Sequence, residues 1–437
     1  MEEDRDKSQL TVEEFLNKLL TQAVKERASD IHLEPGADNL RVRFRIDGIL
    51  QERLALPLND HEYILNRLKV LANLDTLART TPQDGYVEVE ISLPAADDKK
   101  KKEVGTSSLA DKLSSVLFAK NNGGDIQIKN RHPDKLNEEE KHNVYARLSL
   151  FPTINGEAAV LRMLNRKDML LPLEELGMDK NSLRIIKKMI AKVYGMTLIT
   201  GPAGSGKTTN LYAILREIKS GEKNIMTLED PIEFRLEDIR QSQIAAERGF
   251  TFAVGMRSIL RQDPDAIMIG EIRDPETAEQ AVRAALIGRA IYSTVHANTT
   301  VGTIARLVDM NIERSLIAYA LNGVISKRLV RKICPDCRVT YTPDPEHLKY
   351  LGLEEVNYEF TRGKGCDTCA DTGYFGRTGL FEVLELDDKL RSLIVERASM
   401  EILQQYVESI GMKTLKQDAV EKIMAGITTI EEVVKVV

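Results

Sequence analysis

The 437-residue chain lacks several features, and each absence excludes a class of protein. It has no tryptophan and no run of about 18 uncharged apolar residues that could span a bilayer. The first ten residues, MEEDRDKSQL, are acidic and have no apolar centre, so they are not a secretory signal. Lys and Arg (61) do not outnumber Asp and Glu (67), which argues against a nucleic-acid backbone as the main partner. We therefore expect a cytosolic protein of two to four domains.

Cysteine is also scarce, and its four occurrences form two close pairs, Cys334 with Cys337 and Cys366 with Cys369. In a long cytosolic chain this pattern indicates a metal site rather than disulfides. Four thiolates suit a tetrahedral Zn²⁺ that is closed to water. Because 28 residues separate the pairs, more than in a compact zinc ribbon, two redox-active dithiols are the alternative.

The first 165 residues show a mixed α and β pattern. Thr11 and Glu14 have the spacing of a capping box, and apolar residues then recur at helical intervals. Alternating runs at 40–46 and 49–56 are joined by Asp47-Gly48, which predicts a hairpin, and 63–74 is again helical. Further alternating runs at 86–93 and 145–151 predict a second pair of strands.

A charged insertion, Asp97–His142, separates that second pair of strands. We expect a solvated loop inserted into a hairpin, with a short helix at 108–119. The alternative is that its lysine run, DDKKKKE, docks on lipid or on a protein partner.

From residue 176 the pattern changes to strands that alternate with helices. This alternation predicts a parallel sheet with helices on both faces. The strand candidates are Met196–Thr200, Asn224–Leu228, Ala266–Ile269 and Ala290–Val295.

A phosphate-binding loop follows the first of these strands and precedes a helical run. Its glycines let backbone N–H groups surround phosphate oxygens, and the new helix adds its positive N-terminal dipole. Lys207 would supply charge to the β and γ phosphates, and Thr208 a hydroxyl to Mg²⁺. The loop and the start of its helix comprise Gly201, Pro202, Ala203, Gly204, Ser205, Gly206, Lys207, Thr208 and Thr209.

Acidic residues close two of the predicted strands. Glu271 follows Ala266–Ile269, and Glu229 begins a second cluster that also contains Asp230 and Glu233. Ligands bind at the carboxyl ends of strands in open α/β sheets, where a carboxylate can polarise the attacking water or orient Mg²⁺. His296 closes a third strand and could contact the γ-phosphate, although a structural histidine is the alternative.

Together these motifs resemble the type II secretion and type IV pilus assembly ATPases of the secretion-ATPase superfamily. The resemblance covers nearly the whole chain except the insertion. Its parts are ASDIHLEP (28–35), FRIDG (44–48), PQDG (82–85), ITGPAGSGKTT (199–209), LEDPIEF (228–234), LRQDPDAIMIGEIRDPETA (260–278), STVHANT (293–299), the cysteine pairs and GRTGLFEVLEL (376–386).

The resemblance implies a role for each matching residue. Glu271 would polarise the attacking water, Glu229 would have a catalytic or metal-orienting role, and His296 would belong to a histidine box. Arg147 and Arg162 match arginines that this family directs to the nucleotide of a neighbouring subunit. The cysteines match the zinc element of assembly-type members.

The sequence also departs from the family. Tyr86 stands where the family usually has an arginine, and Arg289 where a histidine is common. The insertion is additional, and we expect the chain to lack the separate N-terminal domain that many members carry and that often docks the motor on its partners.

The implied fold class is α/β, with a RecA-like P-loop ATPase core. The implied divisions are an N-terminal α/β domain at 1–165 with the insertion at about 95–144, a linker at 166–175, the core at 176–330, a tetracysteine zinc element at 331–376 and a helical C-terminal domain at 377–437.

The implied function is a cytoplasmic homohexamer that binds ATP, Mg²⁺ and Zn²⁺. It would drive pilus or pseudopilus assembly through an inner-membrane platform protein and a cytoplasmic docking protein. It would thus lie at the inner face of the membrane, with no nucleic acid as partner. The alternatives are a nucleic-acid-dependent P-loop motor, a scaffold that binds nucleotide without hydrolysing it, and a pilus-retraction ATPase. The sequence does not decide between secretion, pilus and competence systems.

Overall fold

The computed structural model describes residues 11–94, 139–164, 169–354 and 358–437. The chain divides into two compact units, Met1–Asn165 and Arg166–Val437. Nearly all of the predicted insertion, including the helix expected at 108–119, lies outside the described residues, as do the first residues of the predicted linker. Within the described ranges, no helix is both long and apolar enough to cross a membrane.

The first unit is an antiparallel sheet with two helices on one face. Its strands lie in the order β3-β2-β1-β6-β5-β4. The helices cover the apolar face, and the polar residues of the alternating strands point to the other face. The elements are α1 Val12–Lys25, β1 Ala28–Pro35, β2 Asn39–Ile46, β3 Ile49–Pro57, α2 His61–Leu71, β4 Gln83–Pro94, β5 Glu139–Thr153 and β6 Gly156–Leu164.

Local signals explain the boundaries of these elements. The capping box of Thr11 and Glu14 is present at the start of α1, which confirms that prediction. Asp47 and Gly48 both have positive φ (47° and 89°), as the turn of a tight hairpin requires, and join β2 to β3 as predicted. Strands β4 and β5 are antiparallel partners from Gln83–Leu150 to Pro94–Glu139, so the insertion does join two strands of one hairpin.

The second unit is built on a seven-stranded sheet in the order β15-β12-β7-β11-β10-β8-β9. All neighbours are parallel except β15, which is antiparallel to β12. Apolar clusters lie on both faces of this sheet, which explains why its strands are continuous apolar runs rather than alternating ones. Its seven strands are β7 Gly195–Thr200, β8 Ile225–Glu229, β9 Arg240–Gln243, β10 Ala266–Ile269, β11 Ala290–Val295, β12 Leu321–Ile333 and β15 Tyr374–Glu385. Two short strands, β13 Arg338–Thr340 and β14 Thr361–Gly363, form a separate antiparallel pair.

Helices connect and cover these strands. They are α3 Lys180–Ile190, α4 Lys207–Ile218, α5 Phe252–Ile259, α6 Pro275–Leu286, α7 Thr300–Asp309, α8 Arg314–Ala320, α9 Pro345–Leu351, α10 Asp388–Val395, α11 Met400–Ser409, α12 Leu415–Met424 and α13 Ile430–Val434.

The four strands predicted for this unit are all present, and they are parallel as expected. The region predicted as helical from residue 377 needs a correction, because its first residues belong to strand β15. Residues 380–384 of this strand are buried, so the segment belongs to the core of the sheet. The helices begin only at Asp388.

Candidate functional site

The phosphate loop connects the end of β7 to the start of α4. Gly201 and Gly206 have φ of 148° and 81°, values that L side chains rarely adopt. A Cβ atom on Gly201 would lie 2.4 Å from the carbonyl oxygen of Lys327, so this position has no room for a side chain. Helix α4 begins at Lys207, which leaves the N–H groups of its first turn directed at the loop, where an anion would bind.

Lys207 folds back over the loop. Its Nζ donates to the carbonyl oxygens of Gly201 at 2.8 Å and Pro202 at 3.0 Å. Burial lowers the pKa of Lys207, the carboxylate of Glu271 opposes this shift, and the charge of Arg328 adds to it. The lysine therefore shares its surroundings with one acid and a second cation.

Other residues of the loop differ in their exposure. Ser205 is buried, and its hydroxyl has no hydrogen-bond partner among the described residues. An orphaned buried hydroxyl two residues before the start of a helix fits a phosphate oxygen as its partner. Pro202, Ala203 and Gly204 form the exposed tip, and Thr208 and Thr209 are half-buried in the first turn of α4. The residues present thus fit a bound triphosphate.

Glu271 lies just beyond the end of β10, next to His296 at the end of β11. These strands are parallel neighbours, which explains why two residues distant in sequence meet at one edge. One oxygen of Glu271 lies 3.5 Å from Nε2 of His296, and the other forms an ion pair with Arg273. The carboxylate is therefore placed between an imidazole and a guanidinium, and its charge influences Lys207 across the site.

Glu229 has a different environment from Glu271. It is buried at the end of β8, where it accepts hydrogen bonds from Tyr212 at 2.6 Å, Thr227 at 2.6 Å and Gln241 at 2.9 Å. Burial raises the pKa of the Tyr212 hydroxyl, and the Glu229 carboxylate raises it further. Glu229 thus ties α4 and β9 to β8, and its predicted catalytic or metal-orienting role stays a prediction.

The two N-terminal arginines lie side by side in the first unit. Arg147 on β5 and Arg162 on β6 are register partners, and both point to the polar face of the sheet. Nε of Arg162 donates to Asp30 at 3.0 Å, and Arg147 forms an ion pair with Asp84 at 3.5 Å. The side chain of Arg162 is 64% exposed and that of Arg147 is 41% exposed, so both remain accessible.

Tyr86 is the register partner of Arg147. The residue that replaces the family's usual arginine therefore lies in the same row across the sheet as the two arginines that remain.

The four cysteines come together in the second unit, although they arise from two separate turns. Each offers an Sγ atom, and the four atoms lie within 4.8 Å of one another. The Sγ atoms of Cys334 and Cys366 are 3.8 Å apart, those of Cys337 and Cys369 3.9 Å, and those of Cys366 and Cys369 3.7 Å. A tetrahedron with Zn–S bonds of about 2.3 Å has edges of about 3.8 Å, so the arrangement fits zinc.

Sequence reasoning did not identify two basic residues of β12, Lys327 and Arg328. Arg328 is buried, donates to the carbonyl oxygens of Lys327 at 3.1 Å and Asn298 at 2.9 Å, and acts on the pKa of Lys207. The sequence did contain a signal for them. Two successive basic residues interrupt the long run LNGVISKRLVRKI, which is apolar at its start. Buried charges in a core strand indicate a specific role.

Comparison with known families adds independent information. The family described as "Type II/IV secretion system protein" matches residues 5–99 and 128–435 of this chain. The chain is 38% identical over 423 residues to "Type II secretion system protein E" of Pseudomonas aeruginosa, covering 97% of this chain and 74% of that protein. It is 37% identical over 424 residues to "Type IV pilus assembly ATPase PilB" of Thermus thermophilus, covering 96% of this chain and 42% of that protein.

Solved structures show the same fold. The pilus retraction motor PilT with bound ADP aligns with a TM-score of 0.57 at 24% identity, covering 97% of this chain and 96% of that one. The Legionella pneumophila ATPase DotB aligns with a TM-score of 0.64 at 21% identity, covering 99% and 97%. At these identities the likeness is one of fold.

Proposed function

The chain belongs to the type II/IV secretion system protein family and is an ATP hydrolase, and we propose that its hydrolysis of ATP drives assembly of a type IV pilus or a type II secretion pseudopilus. The observation that carries the hydrolysis is the meeting of Lys207, Glu271 and His296 at the carboxyl edge of the parallel sheet, and the similarity to protein E and PilB supports the role in assembly. A cradle for phosphate and an acid for water then lie at the same edge.

The residues of the loop would hold the triphosphate. N–H groups at the start of α4 and the hydroxyl of Ser205 would donate to phosphate oxygens, and Lys207 would leave its carbonyl partners for the phosphates. Thr208 would hold Mg²⁺, which neutralises charge on the β and γ phosphates when bound.

Glu271 would then orient and polarise the water that attacks the γ-phosphate. For this the carboxylate must be free of its ion pair with Arg273, so rearrangement of Arg273 would accompany nucleotide binding. His296, 3.5 Å from Glu271, would keep the carboxylate directed at the site. Proton transfer from water to a carboxylate at this position is ordinary general-base chemistry.

We further propose that Cys334, Cys337, Cys366 and Cys369 hold a structural zinc ion. All four positions of a tetrahedron are filled by thiolates, which leaves no open position for catalysis. The ion would stabilise the segment between β12 and β15, which comprises only short elements.

In our proposal the working unit is a ring of six chains, and Arg147 and Arg162 of one chain serve the nucleotide of its neighbour. A P-loop carries one lysine, so further cationic charge supplied in trans would stabilise the transferred phosphoryl group. The ring would act in the cytoplasm at the inner membrane, through a platform protein and a docking protein. The divisions at 166–175, 176–330, 331–376 and 377–437 remain proposals for its functional parts.

A cellular experiment separates assembly from retraction. Deleting the gene in its own organism should remove surface filaments or block secretion, and a plasmid copy should restore them. A copy with Lys207→Ala should not restore them, whereas the exposed control Glu247→Gln should. An excess of filaments after deletion would identify a retraction motor instead.

A further inference from the structure

Lys327 occupies an unusual position behind the phosphate loop. It lies on β12 one residue beyond Ser326, the last partner of β7, so its backbone passes beside the loop that β7 leads into. Its Nζ donates to Oδ1 of Asn210 at 2.7 Å and to the carbonyl oxygen of Gly206 at 3.4 Å. Both acceptors belong to the last part of the loop and the first turns of α4.

The ammonium of Lys327 is buried without an opposite charge. The residue is 2% exposed, and among the residues that the structure describes no carboxylate oxygen lies within ion-pair distance of its Nζ. The ring of Phe381, its register partner on β15, lies 5.3 Å from Nζ. A buried charge without a counter-ion is costly, so either the amine loses its proton or an anion completes the site.

Other charged groups around Lys327 do not supply that anion. On β15, Arg377 repels the ammonium, and Glu382 is engaged by Thr300 and by the backbone N–H of Leu415.

The remaining charged neighbours do not supply a carboxylate to Lys327 either. On α12, Lys422 lies 5.8 Å from the same Phe381 ring and is paired with Asp418. Lys207 on α4 and Arg328 on β12 are also cations. Within the described part of the chain, none of these neighbours thus offers Lys327 a carboxylate of its own, and a polyanion would complete such a site.

We propose that Lys327 is a second lysine of the phosphate site, a positioning residue that supports the loop from behind and whose charge is balanced by the phosphates of bound nucleotide. The inference rests on the ATP binding proposed above. Asn210 has a buried Nδ2 atom without a partner in the described chain, so the Lys327 contact is its only side-chain tie in this region.

The proposal has a consequence for protons. Burial, together with Arg377, lowers the pKa of Lys327 to about 7. Phosphate charge nearby favours the ammonium and raises this pKa, so nucleotide binding near pH 7.5 should draw a proton from the buffer onto Nζ. Because protonated Lys327 binds nucleotide more tightly, its contribution to affinity is full at low pH and is lost as pH rises above the pKa of the bound state.

Calorimetry on the full chain measures both the affinity and the proton uptake. It uses Mg²⁺ and a non-hydrolysable ATP analogue in buffers of different ionisation enthalpy. If phosphate raises the pKa by about one unit, Lys327→Met should bind about tenfold more weakly than wild type at pH 6 and about equally at pH 9. The wild type should take up more protons at pH 7.5 than the variant. Lys332→Met, the same change at an exposed position of β12, should behave as wild type.

A second variant avoids any failure of Lys327→Met to fold. Arg377→Gln removes an exposed positive neighbour, so the pH of maximal proton uptake should move upward. Equal affinity of wild type and Lys327→Met at pH 6, or proton uptake unaffected by either variant, would overturn the inference. A wild type that binds no analogue at all would instead contradict the proposed ATP site.

Discussion

Arg147 and Arg162 are direct cross-strand partners, and they share one row of the first sheet with Tyr86 and Asp30. Like charges opposite each other on neighbouring strands normally destabilise a sheet. Here each arginine has its own acid, Asp84 for Arg147 and Asp30 for Arg162. Two exposed guanidinium groups are thus presented side by side, an arrangement suited to binding an anion such as phosphate.

The arginines should affect turnover more than binding. We expect Arg147→Ala and Arg162→Ala each to lower ATP turnover by roughly 10³-fold, the lower end of the range for an arginine supplied in trans. ATP affinity should change little, because the loop of the same chain binds the phosphates. Steady-state hydrolysis and fluorescent-nucleotide binding separate the two. Arg41→Ala, on the same face of the sheet, is the matched control.

Mixing two inactive chains tests whether the arginines act in trans. Arg162→Ala carries an intact loop and Lys207→Ala carries intact arginines, so boundaries shared by the two should regain activity that neither parent has. Activity of the wild type should also rise with protein concentration as rings form. Monomers that hydrolyse ATP as fast as rings would contradict a shared site.

Binding and chemistry should separate at the phosphate loop. Lys207→Ala should lose affinity and turnover together, because its ammonium holds the phosphates. Glu271→Gln should bind Mg-ATP but hydrolyse it about 10²–10⁴-fold more slowly, since only the base is removed. Rapid-quench measurement of a single turnover distinguishes the two, with Glu247→Gln as control. Near-normal turnover by Glu271→Gln would show that another group activates water.

The features that depend on a local sequence pattern, such as the phosphate loop and the strands, could be predicted from the sequence. The loop at 201–208 lies between a strand and a helix, as predicted. The strands that end at Glu229 or just before Glu271 and His296 are where the apolar runs predicted them. Strands β10 and β11 are parallel neighbours, so their carboxyl ends lie side by side. Glu271 and His296 therefore meet as a consequence of the fold.

What the sequence did not predict depends on packing between distant segments. Strand β12 carries Lys327 and Arg328, and nothing in its pattern shows that they flank the loop. The catalytic or metal-orienting role of Glu229 stays a prediction, but its hydrogen bonds with Tyr212 and Gln241 could not be predicted, because they form only once α4 and β9 are packed against β8. Strand β15 was assigned to a helical region because its link to β12 spans the cysteine segment.

Zinc binding can be measured directly. Purified protein should contain one zinc ion per chain by mass spectrometry, and Cys366→Ser should lose it and become sensitive to protease. The loss of stability should be large, since structural zinc contributes on the order of 10–16 kcal/mol to the folding of small zinc fingers. Thr368→Val, in the same turn but outside the thiolate set, should keep the metal. A folded, metal-free wild type with a reversible disulfide would indicate redox pairs instead.

The buried ion pair of Arg331 and Glu432 should make the free energy of unfolding depend on pH. Burial alone would raise the pKa of Glu432, but Arg331 and Lys435 lower it to about 2. The pKa of Glu432 is thus lower in the folded chain than in the unfolded chain. The ion pair therefore contributes its full stabilisation of the fold above about pH 5, and this contribution is lost as pH falls towards 2. Glu432→Gln removes the carboxylate charge that pairs with the buried guanidinium of Arg331, so we expect a loss of about 3–5 kcal/mol in the free energy of unfolding at pH 7, measured with urea. The difference from wild type should shrink by pH 3, whereas the control Glu431→Gln, which removes only a bond from Tyr341, should cost much less at either pH. A difference that stays constant from pH 7 to pH 3 would mean that the Glu432 charge does not stabilise this region.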